Sequence, residues 1–200
     1  LLSLDSVNLT VTPANESNST ETDGLRVDGR DKLSQSISGF TTALGTARWK
    51  WTPRHSAATA SSFDEGSDDA YVATFYGDSD DYIKIFWDSA NTLKMEYNMN
   101  GGGATSSTWD ATGLISAGTT YAMQLEYDGS GSMVLYVDNT ARISLSSIPA
   151  AFGTAPSTAY WGSSWDGSTA AYQGDATFDE PGSTGASVET TNTYFTGNAV

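Results

Sequence analysis

The side chains that could do chemistry in this chain are mostly carboxylates. Its 200 residues include 24 Asp plus Glu, 9 Lys plus Arg, one histidine and no cysteine. The missing cysteines exclude disulfides, thiolate metal sites and thiol nucleophiles. The single histidine, His55, lies just past Pro53 and reads as a loop residue. Serine is abundant, but no histidine base is in view for it, so a nucleophilic triad is not supported. Paired carboxylates remain. A retaining glycosidase needs two carboxyl groups about 5–5.5 Å apart. Asp179 and Glu180 are adjacent, and adjacent side chains of a strand point to opposite faces. The residues favour binding over bond cleavage.

Two acidic loops have the oxygen chemistry of a hard cation site, which makes calcium the expected cofactor if there is one. They are Asp64-Glu65-Gly66-Ser67-Asp68-Asp69 and Gly77-Asp78-Ser79-Asp80-Asp81. Asp78, Asp80 and Asp81 are the better ligand set because their loop is short, although neither loop matches an EF-hand and acidic turns also serve as solvated surface. A sugar site calls for an exposed aromatic with Asp or Asn beside it. Trp161, Trp165 and Asp166 stand together in a loop-like stretch, and Trp109-Asp110 is a second such spot. Trp49, Trp51 and Trp87 sit inside strand-like segments and read as core. Asn8-Leu9-Thr10, Asn15-Glu16-Ser17 and Asn18-Ser19-Thr20 are glycosylation sequons, so Asn8, Asn15 and Asn18 fit a protein exposed outside the cell.

The elements that position these residues follow a period of two. Ala47, Trp49 and Trp51 alternate with Arg48, Lys50 and Thr52 until Pro53 ends the run. Tyr71 to Tyr76, Tyr82 to Trp87 and Leu93 to Tyr97 are separated by Gly, Asp, Ser and Asn, which predicts an antiparallel meander. Tyr121, Met123, Leu125 and Tyr127 share a face; Asp128-Gly129 turns the chain into Met133, Leu135 and Val137, and Asp138-Asn139 turns it again. No helical period, fixed repeat or heptad is present. The chain is therefore predicted to be all-β.

The order Tyr121 to Gly129, Met133-Val134-Leu135-Tyr136-Val137-Asp138-Asn139, then Phe178-Asp179-Glu180 resembles the concanavalin A-like, laminin-G-like jelly roll, over about residues 40–181. Two positions depart from that pattern: Thr119-Thr120 stand where the family often has Trp, and Asn139 replaces the hairpin Gly. Asn tolerates the positive φ of such a turn, so the hairpin is retained. The resemblance implies a two-sheet antiparallel sandwich in a superfamily that mostly binds glycans or proteins and sometimes cleaves polysaccharides. The Glu-x-Asp-x-x-Glu pattern of its hydrolases is absent, as is a Gln-x-His of the kind its lyases use.

Composition divides the chain into an N-terminal strand and polar linker (1–24), a jelly-roll sandwich (25–181) and a C-terminal tail or late strand (182–200). A net charge of -15 disfavours nucleic acid and anionic membranes as partners, and no apolar run reaches the ~18 residues of a membrane span. The expected function is a non-catalytic recognition or adhesion module, extracellular, on a cell surface or on a virion, binding glycan or a surface protein through rim loops. A structural subunit of a virion or filament, joined to identical copies by the strand from Val7 to Val11, is the alternative; a polysaccharide-cleaving enzyme is the third reading.

Overall fold

The computed structural model describes residues 9–12, 20–21, 24–27, 32–37, 40–63, 70–165, 170–171 and 176–184. Strands account for nearly all of its regular structure. In chain order they are β1 (Leu9–Thr12), β2 (Thr20–Glu21), β3 (Gly24–Val27), β4 (Lys32–Ser36), β5 (Gly45–Pro53), β6 (Ala70–Asp78), β7 (Asp81–Ser89) and β8 (Thr92–Asn98). There follow β9 (Thr105–Asp110), β10 (Tyr121–Tyr127), β11 (Ser132–Val137), β12 (Thr140–Ser146), β13 (Thr158–Trp161), β14 (Ser164–Trp165), β15 (Ala170–Ala171) and β16 (Ala176–Thr184). One short 3-10 helix, Ala57–Phe63, interrupts them.

Two seven-stranded antiparallel sheets form a jelly-roll-like sandwich. The first has the order β1-β4-β13-β6-β7-β8-β9 and the second β12-β11-β10-β5-β16-β3-β2. Period two decides which side chains lie between them. Trp49 and Trp51 on β5, Phe75 on β6, Ile83, Ile85 and Trp87 on β7, and Leu93 and Met95 on β8 are all essentially without solvent exposure. Each such side chain contributes about 1.5–3 kcal/mol on burial, so a cysteine-free chain of this size holds itself together. His55 belongs to this interior: it is 2% exposed and packs edge-on against Trp87 at 5.7 Å and near Trp51 at 6.1 Å. It is a buried structural residue just past the end of β5.

The turns bear out their residues. The meander β6–β7–β8 forms as expected and continues into β9. In the β11–β12 hairpin Asp138 and Asn139 both have positive φ, 47° and 64°, the backbone of a two-residue turn that Asn adopts without strain. At Gly129 φ is 67°, and a Cβ there would lie 2.4 Å from the Ala43 carbonyl oxygen, so only glycine fits.

Phe178 pairs with Trp51 across β16 and β5, and β16 runs on to Thr184 along the same strand. At the opposite end of the chain, β1 pairs with β4 of its own molecule, Leu9 facing Gln35, and so forms the outer strand of the first sheet.

Candidate functional site

The first sheet carries a second pattern on its outward face. Tyr76 and Tyr82 face each other across β6 and β7, and Tyr160 of β13 meets Tyr76 edge-on with ring centroids 6.4 Å apart. Three phenols thus stand on three adjacent strands, a strip of about 10 Å at the usual strand spacing. In the next row Lys84 faces Glu96 across β7 and β8. The Lys84 ammonium lies 4.4 Å from the centre of the Tyr82 ring, and the Tyr82 hydroxyl makes a long 3.4 Å contact with Glu96 Oε1. Lys94 reaches Asp88 at 3.3 Å and Glu96 at 3.7 Å.

Tyr76, Tyr82, Lys84, Lys94 and Glu96 are half-buried, Asp88 is exposed, and Tyr160 is buried at 6% exposure. Burial, then the charge and hydrogen bond of Glu96, push the Tyr82 phenol up to about 12. Burial also raises the phenol of Tyr160. The tyrosine hydroxyls thus have an ammonium and a carboxylate beside them in the next row, an arrangement able to stack on an apolar ring and hold its hydroxyls.

Farther along the same face the surface closes. Tyr71 and Phe86 stack at 4.8 Å, and Phe86 is 4% exposed. Beyond Trp161 the chain turns over β6, where the Thr74 hydroxyl donates to the Ser163 carbonyl at 2.9 Å. The open part of the face is therefore the end bearing Tyr76 and Tyr82.

The loops at that end are tied together by Asp81. Its Oδ1 accepts the backbone N–H groups of Asn100 and Gly153, each at 2.9 Å, and its Oδ2 accepts that of Thr154 at 2.9 Å. Asp81 is 3% exposed. Of the expected calcium set Asp78, Asp80 and Asp81, the third is engaged by three N–H donors and serves as a loop staple. Asp78 accepts the Asp80 N–H at 2.9 Å, and hydrogen bonds from the Thr154 side chain and the Asp80 backbone hold its carboxyl below the ordinary range. Among the described residues no group of three or more His, Asp or Glu is placed to hold a metal ion. The other acidic loop, 64–69, lies outside the described residues.

Of the expected sugar residues, Trp161 and Trp109 do not come together. Trp161 is 1% exposed, packed against Trp49 at 5.2 Å, Phe75 at 5.7 Å and Phe178 at 6.1 Å, with its indole N–H donating to Gln35 Oε1 at 3.1 Å. It is core, and no ring can stack on it. Its strand is short and ends in Gly162-Ser163, which gave it the look of a loop. Trp165 ends β14, but its side chain, Asp166, and the sequon residues Asn8, Asn15 and Asn18 lie outside the described residues. Trp109 is half-buried at the end of β9, and the Arg142 guanidinium lies 4.9 Å from its ring centre. Trp109 and Trp161 stand four strand spacings apart, about 19 Å, too far to share one sugar.

Tyr76, Tyr82, Tyr160, Lys84 and Glu96 were not singled out by sequence reasoning. For Tyr76, Tyr82, Lys84 and Glu96 the signal was available in the alternate phase of the meander, the positions opposite Phe75, Ile83, Ile85 and Met95; Tyr160 lies on β13, outside it.

No family model matches the chain, and no curated protein matches its sequence. Solved structures do share its fold. The receptor binding domain of botulinum neurotoxin D is similar with a TM-score of 0.66 and 9% identity, over 92% of this chain and 45% of that one. The CBM40 of Ruminococcus gnavus IT-sialidase, solved with α2,3-sialyllactose, gives 0.56 and 10%, over 84% and 92%. The native heptameric SAP-like pentraxin of Limulus polyphemus gives 0.54 and 13%, over 86% and 76%. This chain spans less than half the length of the toxin domain. At these identities the likeness is one of fold.

Proposed function

We propose that this domain is a non-catalytic recognition module that binds glycans on the outer face of its first sheet. The observation that carries the reading is the half-buried Tyr76–Tyr82 pair on neighbouring strands, with Tyr160 buried edge-on against Tyr76 and with Lys84 and Glu96 in the next row. The Tyr76 and Tyr82 rings offer apolar surface to a sugar ring, while their phenols, the ammonium and the carboxylate offer donors and acceptors for hydroxyls. A satisfied Tyr–Tyr cross-strand pair also stabilises a sheet without any ligand, but that role does not require partly exposed rings with an ammonium and a carboxylate beside them.

The fold neighbours support the reading at a coarse level, since they include a receptor binding domain and a module bound to sialyllactose. Acting outside the cytosol, on a cell surface or a virion, is part of the same proposal and accords with the acidic, cysteine-free composition. A glycan array probed with the wild-type chain and with a Tyr76→Ala/Tyr82→Ala variant tests it. Wild-type binding that the double variant loses while keeping its fold supports the strip; equal binding by both removes it.

A further inference from the structure

Arg142 sits where the ladder between β11 and β12 slips. Leu135 faces Ile143 and Tyr136 faces Ala141, so Arg142 is the extra residue of a β-bulge. Bulges re-aim side chains and gather next to functional sites. Here the bulge lies on β12, the last strand of the second sheet, which runs beside β9, the last strand of the first. Across that seam the guanidinium stands 4.9 Å from the Trp109 ring centre, within cation–π range. Trp109 packs its other side against the core.

Two observations set this arginine apart from an ordinary surface cation. Among the described residues no carboxylate pairs with it, in a chain that carries 24 acidic side chains. Its Nε is buried and makes no hydrogen bond. Buried donors in native proteins are nearly always satisfied, and an exception calls for a reason. A planar guanidinium fixed by a bulge at one end and an aromatic ring at the other has its terminal nitrogens pre-set as a fork, the geometry that matches the paired oxygens of a carboxylate or sulfate.

We propose that Arg142, presented by its bulge and backed by Trp109, is a recognition site for the oxyanion of a carboxylate- or sulfate-bearing sugar. The choice of a sugar as carrier rests on the glycan reading above; the oxyanion chemistry does not. The site lies on the flank of the sandwich, two strands beyond β7, apart from the tyrosine strip. The chain's net charge of -15 opposes the approach of an anion, but that repulsion is screened within about 8 Å at physiological ionic strength.

Three probes on one scaffold test the site: lactose, 3′-sulfolactose and 3′-sialyllactose, titrated into the labelled chain while the Trp109 indole and Arg142 Nε–H signals are followed by NMR. The two acidic probes, or one of them if the fork selects its oxyanion, should move both signals and bind about tenfold more tightly than lactose. Arg142→Gln should bring acidic and neutral probes level, and Arg142→Lys, which keeps the charge but not the fork, should recover little. Tyr76→Ala/Tyr82→Ala should keep the acid preference whatever it does to lactose. Equal binding of all three probes by the wild type, or a preference that survives in Arg142→Gln, overturns the site. Lactose binding untouched by the tyrosine changes overturns the strip alone.

Discussion

Asp81 and Gly153 hold each other in place. The Asp81 carboxylate accepts the Gly153 N–H at 2.9 Å, and a Cβ at position 153 would stand 2.9 Å from Asp81 Oδ2 and 2.5 Å from Asn100 Oδ1. The carboxylate needs a bare backbone to approach, and the backbone needs the carboxylate to satisfy it. Asp81→Ala strands three backbone donors, and a change of this kind costs about 3 kcal/mol or more. Chemical denaturation should show that loss undiminished by EDTA, since the role is one of hydrogen bonding; a loss that disappears in EDTA would restore Asp81 to a metal site. Gly153→Ala should destabilise in the same direction.

Trp161 makes the second test of assignment. As core it should cost about 3–5 kcal/mol on replacement by Ala, read as a lower denaturation midpoint. Glycan binding by the molecules that remain folded should be unchanged. A Trp161→Ala chain of wild-type stability with lost binding would return this residue to the surface.

Much of the architecture was legible because strand faces alternate. Ala47, Trp49 and Trp51, or Met123 and Leu125, declare an inner face by spacing alone, and Asp138-Asn139 declares its turn. Other features are set by partners distant in sequence. Asp78, Asp80 and Asp81 look alike in a row, and only the approach of Asn100, Gly153 and Thr154 singles out the third. Thr140-Ala141-Arg142-Ile143 gives no sign of a bulge, because the slip depends on how β11 meets it. The tyrosine strip was in the sequence all along, in the polar phase of segments read for their apolar one.

The hairpin offers a clean backbone test. Asn139 has φ at 64°, so Asn139→Gly should leave the midpoint unchanged or raise it slightly. Asn139→Val, with a β-branched side chain in the left-handed region, should cost about 1–2 kcal/mol. Equal tolerance of both would mean that the turn does not hold this conformation.

Stability should fall at both ends of the pH scale. Tyr82 ionises at 10.0 when unperturbed and at about 12 in the fold. Below 10 both states keep the proton and its contribution is whole. Between 10 and 12 the unfolded chain loses the proton first, so stability declines as pH rises through that window. On the acid side, hydrogen bonds from the side chains of Thr154, Thr112 and Ser130 lower the carboxyls of Asp78, Asp110 and Asp128 respectively. Their contributions are present above the ordinary carboxylate range and disappear as pH falls through the lowered values. Denaturation midpoints across pH, with tyrosinate absorbance followed at the alkaline end, check both; Tyr82→Phe should flatten the alkaline decline.

The half-buried tyrosines of β6 and β7, on our proposal, make the outer face of the first sheet a glycan surface. The most direct measurement is the glycan-array binding of the wild-type chain beside the folded Tyr76→Ala/Tyr82→Ala variant. Wild-type binding to at least one oligosaccharide should be saturable, and the variant should lose tenfold or more of it, about 1.4 kcal/mol. Binding of the same oligosaccharides with unchanged affinity by the variant would contradict it.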